Sequence, residues 1–355
     1  MGNCNCDDEN IIEKIEQEKE NKLKPSDFTK LYQIGKSSIS HIWKVHHVQD
    51  NSKIYAMKVI NKAKIYFNKL IQSAEINRKL MELLNYKLLC KMYYAFQDTD
   101  NLYLIVEYFS GGDLRYHICK RDYFTEKETK FITACIALII NYMHENNVVH
   151  RDIKPEKLVF DKNGYLHITD FAIAKELKKG ETCTWASGTP QYMAPEALIN
   201  KPHDYMVDYY ALGIILYELT MGERPYNGQN RKEIKERLFS REVNLDKDDI
   251  PVDWDVNILD MINGLLKWKK KKRLGNNGFN DIKNHPWFKD FDWEKMEKFE
   301  LNSPFVIEKE DNFDESYVQK PDDESIYEGK KDFYINKINE SLVFKDYYFN
   351  YENKI

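Results

Sequence analysis

The stretch HRDIKPEKLVF, residues 150–160, decides how this chain is read. It offers Asp152 as a candidate base for a substrate hydroxyl, with Lys154 beside it and a second ammonium at Lys157. Working outward, YAMKVI (55–60) places Lys58 on a strand, from which a long cationic side chain can reach phosphates. HITDFAIA (167–174) supplies Asp170, a carboxylate suited to holding magnesium between phosphates. GTPQYMAPE (188–196) follows, and Asp208 opens an apolar helix after it. Each fragment alone says little, because a lone Lys on a strand is commonly solvated and a lone Asp after Thr is commonly a turn. Five in one order, in matching helix and strand contexts, leave chance a remote explanation.

The rest of the chain fits that reading. With 355 residues, 42% of them hydrophobic, there is material for one large two-lobed domain. A net charge of -5 excludes nucleic acid as a general partner, since no basic excess exists to displace counterions. Six scattered cysteines without metal-ligand spacing, and no secretory leader, predict a cytoplasmic setting. KLYQIG, HIWKVHHV and IYAMKVI alternate as neighbouring strands, and NLYLIVEYF reads as a buried one. FITACIALIINYMH and YYALGIILYELTMG read as core helices, the second stopped by Gly222 and Pro225. Strands early and helices late predict a small β-rich lobe and a larger helical one.

With these motifs in place, residues 28–288 resemble a eukaryotic protein-kinase domain. DNFDESY (311–317) and FKDYYF (344–349) are similar to tail motifs of the AGC group. SGGDLRYHI, HITDFAIA and FDWEKM most resemble the YANK-type serine/threonine kinases. The resemblance implies an α+β, bilobal fold with an AGC-like C-terminal tail. Its segments are an N-terminal stretch 1–24, a kinase domain 25–288 and a tail 289–355. It also implies ATP and Mg2+ as cofactors, protein substrates and a monomer. Catalytic roles fall on Asp152, Lys154 and Lys58, and metal binding on Asp170. Nucleotide binding falls on Ile34, Gly35, Lys36, Ser37, Ser38, Ile39, Ser40, His41, Ile42, Ala56, Lys58, Glu107, Phe109 and Val159. Asp113, Glu156 and Glu218 match positions that receive substrate arginines, and Glu196 is expected to pair with Arg273.

Several positions depart from the family's pattern. Lys157 replaces a metal-binding Asn, and an ammonium cannot ligate a cation; it is expected to stand near Asp170 and exclude a second magnesium, or else to face solvent. Ser37 and Ser40 replace two glycines of the phosphate loop, where hydroxyls could themselves donate to phosphate. Asn77 occupies the place of the glutamate that pairs with Lys58, on an inward stripe of Leu70, Ala74, Asn77, Met81 and Leu84. Glu75 is expected to face solvent, unless a shifted helix brings it to Lys58. Ala172 replaces a glycine, Trp185 stands at the usual activation-loop phosphosite beside Thr184, and Tyr348 takes the phosphoacceptor place of the terminal motif.

Two functions follow. One is an active, basophilic serine/threonine kinase using one metal or two. The other is a membrane-anchored pseudokinase scaffold, supported by the joint loss of loop glycines, the glutamate and the Asn. The anchor rests on MGNCNC, in which Gly2 suits myristoylation and Cys4 and Cys6 suit palmitoylation. Two acyl chains give a stable attachment that one does not.

Overall fold

In the computed structural model, residues 22–178, 180–185, 187–307 and 330–354 are described. Gly2, Cys4, Cys6 and the DNFDESY motif lie outside them. The described chain divides into two compact units, one of residues 22–78, 92–108 and 330–354, the other of 79–91 and 109–307.

The first unit is built on a six-stranded antiparallel sheet. Its strands are β1 (Phe28–Lys36), β2 (Ser40–His47), β3 (Asp50–Asn61), β4 (Met92–Gln97) and β5 (Asn101–Glu107), in the order β1-β2-β3-β5-β4. A short terminal strand, Phe349–Asn350, pairs with β4 and covers that edge. Phe28, Val45, Tyr55, Met57, Tyr94, Phe96, Tyr103 and Ile105 form one aromatic-rich core. Side chains alternate along a strand, so Ala56 and Lys58 of β3 point away from the face that Tyr55 and Met57 bury. The register sets Ile42 opposite Lys58 and Lys44 opposite Ala56.

The C-terminal tail is part of this unit. Helix Lys331–Ser341 stacks Tyr334 on Tyr66 with centroids 5.5 Å apart. Lys62 is buried, and its Nζ donates to the Asp98 carbonyl (2.7 Å) and to Asn339 Oδ1 (3.0 Å). Phe344, Tyr347 and Phe349 of the FKDYYF motif are buried, while Tyr348 is half-buried against the aromatic core.

The second unit is mainly helical. Helix Glu126–Glu145 starts in a capping box, with Thr125 and Glu128 each accepting a backbone N–H from the other. Helix Met206–Met221 ends at Gly222, whose φ of 75° is the left-handed conformation that lets the chain turn out of a helix. Two small antiparallel pairs, Val148–Val149 with Lys175–Glu176 and Leu158–Phe160 with Leu166–Ile168, bracket the polar loops between them. The start of the tail belongs here: Phe305 stacks on Phe160 at 4.2 Å. Among the described residues, no helix is long and apolar enough to cross a membrane.

Helix Ile71–Leu83 carries the expected stripe. Ala74, Asn77, Met81 and the following Leu84 are buried, with Leu70 half-buried. Glu75 is half-buried rather than fully solvent-facing.

Candidate active site

The loop from His150 to Lys157 is fixed by buried hydrogen bonds. Asp208, fully buried on helix Met206–Met221, accepts the backbone N–H groups of His150 (2.9 Å) and Arg151 (2.8 Å) and a bond from His144 Nε2 (2.9 Å). Burial opposes its ionisation, yet these donors hold its pKa below the ordinary value. Arg151 takes a left-handed φ of 67°, uncommon for a residue with a Cβ. It is held there by Asp208 and by Nε donating to the Ile173 carbonyl at 2.7 Å.

His150 links the two candidate catalytic carboxylate segments through backbone. Its Nε2 lies 2.8 Å from the Asp170 carbonyl oxygen, while Nδ1 accepts the Asp152 N–H at 3.1 Å. That pattern requires a neutral ring protonated on Nε2. Burial, reinforced by the charge of Lys157, pushes the His150 pKa down to about 4.

Both oxygens of Asp152 are engaged. Oδ1 accepts from the Thr189 N–H (2.8 Å) and hydroxyl (2.9 Å). Gly188 allows this approach: its φ is 120°, and a Cβ there would stand 2.6 Å from the Arg151 carbonyl oxygen. Oδ2 meets Lys157 Nζ at 2.5 Å, and the same ammonium lies 3.1 Å from Asp170 Oδ2. Lys157 is thus neither solvated nor beside Asp170 alone; it bridges the two carboxylates. Burial raises the pKa of Asp152, but the charges of Lys157 and Lys154 outweigh it and leave a net lowering. Burial likewise works against charged Lys157, and the two carboxylates reverse it. Asp152 and Lys157 thus hold each other in their charged forms.

Lys154 is half-buried, and its charge lowers the pKa of Asp152. Phe171 is buried against His150, and Ala172 keeps an ordinary negative φ, so replacing glycine strains nothing there. Asp170 is the carboxylate that would hold a magnesium together with nucleotide phosphates, and the Lys157 ammonium already stands 3.1 Å from its Oδ2. Among the described residues, no three His, Cys, Asp or Glu side chains are grouped to hold a metal.

The residues expected on the nucleotide side sit as follows. Ile34, Gly35 and Lys36 end β1; Ser40, His41 and Ile42 begin β2; Ala56 and Lys58 lie on β3, and Glu107 ends β5. Between β1 and β2, the Ser37 hydroxyl accepts the N–H of Ser40 (3.1 Å) and pairs with the Ser40 hydroxyl (2.8 Å). The Ile39 N–H also points to it, at 3.4 Å. In this arrangement the Ser37 hydroxyl serves the turn by accepting its amides. In the second unit, Val159 is half-buried on its strand and Phe109 stacks on His167 at 4.3 Å.

The acidic positions hold an unexpected partner. Arg115 Nη1 and Nη2 bind both oxygens of Glu218 (2.8 and 3.1 Å), and Nε binds Glu156 Oε1 (3.1 Å). Asp113 is the N-cap of helix Leu114–Lys120, accepting the Tyr116 N–H at 2.8 Å. Burial lifts its pKa to about 6, against that N–H and with the help of the Glu156 charge. Arg273, fully buried, pairs with Glu196 as expected, through two contacts of 2.8 and 3.0 Å. On the activation segment, Thr184 and Trp185 are exposed.

Sequence reasoning passed over Thr189, His150 and Arg115. All three stood inside quoted motifs, Arg115 in SGGDLRYHI two residues after Asp113, in the first turn of helix Leu114–Lys120.

Residues 28–288 match the protein kinase domain family. The serine/threonine-protein kinase sgk-1 of Caenorhabditis elegans is 35% identical over 318 residues, covering 88% of this chain and 67% of that protein. Serine/threonine-protein kinase Sgk1 of Danio rerio is 34% identical, covering 85% of this chain and 70% of the relative. The cAMP-dependent protein kinase catalytic subunit of Dictyostelium discoideum is 32% identical, covering 85% of this chain and 46% of its own length.

Proposed function

The chain belongs to the eukaryotic protein kinases of the AGC type, and from that premise we propose that it phosphorylates protein hydroxyls with Lys157 in the role of one metal ion. The observation that carries this reading is the ionised Asp152, aimed by Thr189 and His150 and neutralised by Lys157. ATP would supply the phosphoryl group, and a magnesium held by Asp170 would offset charge on its phosphates. Asp152 then orients the substrate hydroxyl and receives its proton. Lys154 offsets charge on the moving group. Lys157 supplies, beside Asp170, positive charge that a second magnesium would otherwise bring.

Glu156 and Glu218 are the positions from which selection of basic residues would come, and the Arg115 guanidinium they already bind competes for both. Acylation at Gly2, Cys4 and Cys6 belongs to the same proposal and would hold the enzyme at a membrane surface; it rests on MGNCNC alone. Loss of membrane-bound protein in cells on Gly2→Ala would support it, and an unchanged fraction would count against it.

A scaffold without phosphotransfer is the second reading. It is favoured by the 2.5 Å contact, which spends the candidate base on an internal partner. Turnover of ATP by purified protein against its Asp152→Ala variant separates the two. Phosphate transfer to a serine peptide that the variant abolishes supports the kinase, and equal background in both proteins supports the scaffold.

A further inference from the structure

We propose that Arg115 is an internal stand-in for a substrate arginine and sets the protein's selectivity for basic residues. The inference rests on reading Glu156 and Glu218 as substrate-facing positions. Arg115 meets Glu218 through both terminal nitrogens, at 2.8 and 3.1 Å, the forked geometry with which a carboxylate best binds a guanidinium. Its Nε takes Glu156 Oε1 at 3.1 Å, and its Nη2 also reaches the Tyr192 hydroxyl. That hydroxyl in turn donates to Glu218 Oε2 at 2.7 Å. Arg224 stands farther out, with Nε 3.8 Å from Glu218 Oε1. Two carboxylates are thus balanced within the chain by one close and one distant guanidinium.

A purely structural pair would be closed on all sides, and this one is not. The Glu156 side chain is 33% exposed, while its Oε2 is buried and has no hydrogen-bond partner among the described residues. An acceptor is therefore left unspent beneath the exposed part of that side chain. A substrate arginine can approach over Glu156, but to reach its Oε2 and the buried Glu218, which is 4% exposed, it must displace Arg115. Exchange of one guanidinium for another is close to neutral, so basic residues earn little preference in the wild-type protein. Without Arg115 the same carboxylates lack a cation, and an incoming arginine completes the cluster.

The test is binding rather than turnover, so a catalytically silent protein still answers it. A fluorescent serine peptide with three arginines before the serine is compared with its citrulline counterpart, which keeps the shape and removes the charge. Wild-type protein should distinguish them by less than about threefold, and Arg115→Met by about tenfold or more in favour of arginine, a gap of about 1.4 kcal/mol. Arg115→Met should melt about 5–10 °C lower, and the arginine peptide should recover more of that loss than the citrulline one. Adding Glu218→Gln to Arg115→Met should remove the preference. Arg115→Lys, which keeps the charge without the fork, gives an intermediate ratio and serves where the Met variant does not fold. Equal binding of the two peptides by Arg115→Met, no binding of the arginine peptide to it, or a tenfold preference already in the wild type would overturn the proposal. Failure of phosphotransfer with the selectivity change intact would overturn only the kinase reading.

Discussion

Replacing Lys157 by Asn should cost stability and create a response to magnesium that the wild-type protein lacks. At an effective dielectric of about 20, the contacts of 2.5 Å to Asp152 and 3.1 Å to Asp170 are each worth about 5–7 kcal/mol in gross attraction. Removing the ammonium from water offsets several kcal/mol of that, so the net loss on breaking the bridge is about 3–5 kcal/mol. In a thermal melt this is a fall of about 10 °C. The sign with pH follows from Asp152, whose folded pKa lies below its ordinary value. Its contribution is fully present above the unfolded pKa of about 3.9 and is lost as pH falls through the lower folded value. The gap between wild type and variant should therefore be full at neutral pH and close only in strong acid. Magnesium at millimolar concentration, without nucleotide, should recover part of the variant's loss, since Asp152 and Asp170 would both lose the Lys157 ammonium. Melting curves of both proteins against pH and magnesium provide the assay. Equal stability at neutral pH, or the same magnesium response in wild type, would refute the bridging role.

Three further outcomes are expected. His150 should titrate near pH 4 by NMR, and stability should fall by about 3 kcal/mol as pH drops from about 6.5, because only the unfolded chain gains that proton; titration near 6.5 would show the ring to be solvated. Phe344→Ala should destabilise the protein by about 3–5 kcal/mol, whereas Tyr347→Phe should be neutral or gain about 1 kcal/mol, since the Tyr347 hydroxyl is buried without a hydrogen-bond partner among the described residues. Chemical denaturation of the two variants distinguishes these effects, and an unaffected Phe344→Ala would mean that the tail does not dock as described. Arg273→Ala should cost about 3–5 kcal/mol by leaving Glu196 unpaired, and Glu196→Gln combined with it should cost less than the sum; additive losses would exclude the pair as a unit.

What could be read from sequence divides along a physical line. Motif order carried the fold, and the family resemblance carried the Glu196–Arg273 pair and the approach of Lys157 to Asp170, because each reuses a packing that the family implies. The contact of Lys157 with Asp152 did not follow, since residues five apart across a Pro-containing turn meet only once that turn's geometry is known. The Ser37 turn was open to local reading, because a hydroxyl three residues before another serine is a common partner for its N–H. Asp113 likewise signals an N-cap ahead of LRYHI, a role that competes with receiving a substrate. Arg115 was passed over because charge complementarity was sought outside the chain rather than within it.

These internal contacts share a feature that has consequences for binding. Ser37 satisfies amides of the β1–β2 turn, Lys157 satisfies two carboxylates, and Arg115 satisfies two more. A site built to be completed by ligands leaves such groups unsatisfied, and binding then stabilises the fold by supplying their partners. Here each partner is internal, so a ligand displaces a group before it gains one. Stability without ligand and stabilisation by ligand should consequently move in opposite directions. Removing Lys157 or Arg115 lowers the first and raises the second, with magnesium as the ligand in one case and an arginine peptide in the other. Residues that merely decayed from a working site would behave otherwise: replacing them would leave the unliganded fold as stable as before, because no partner would have been lost.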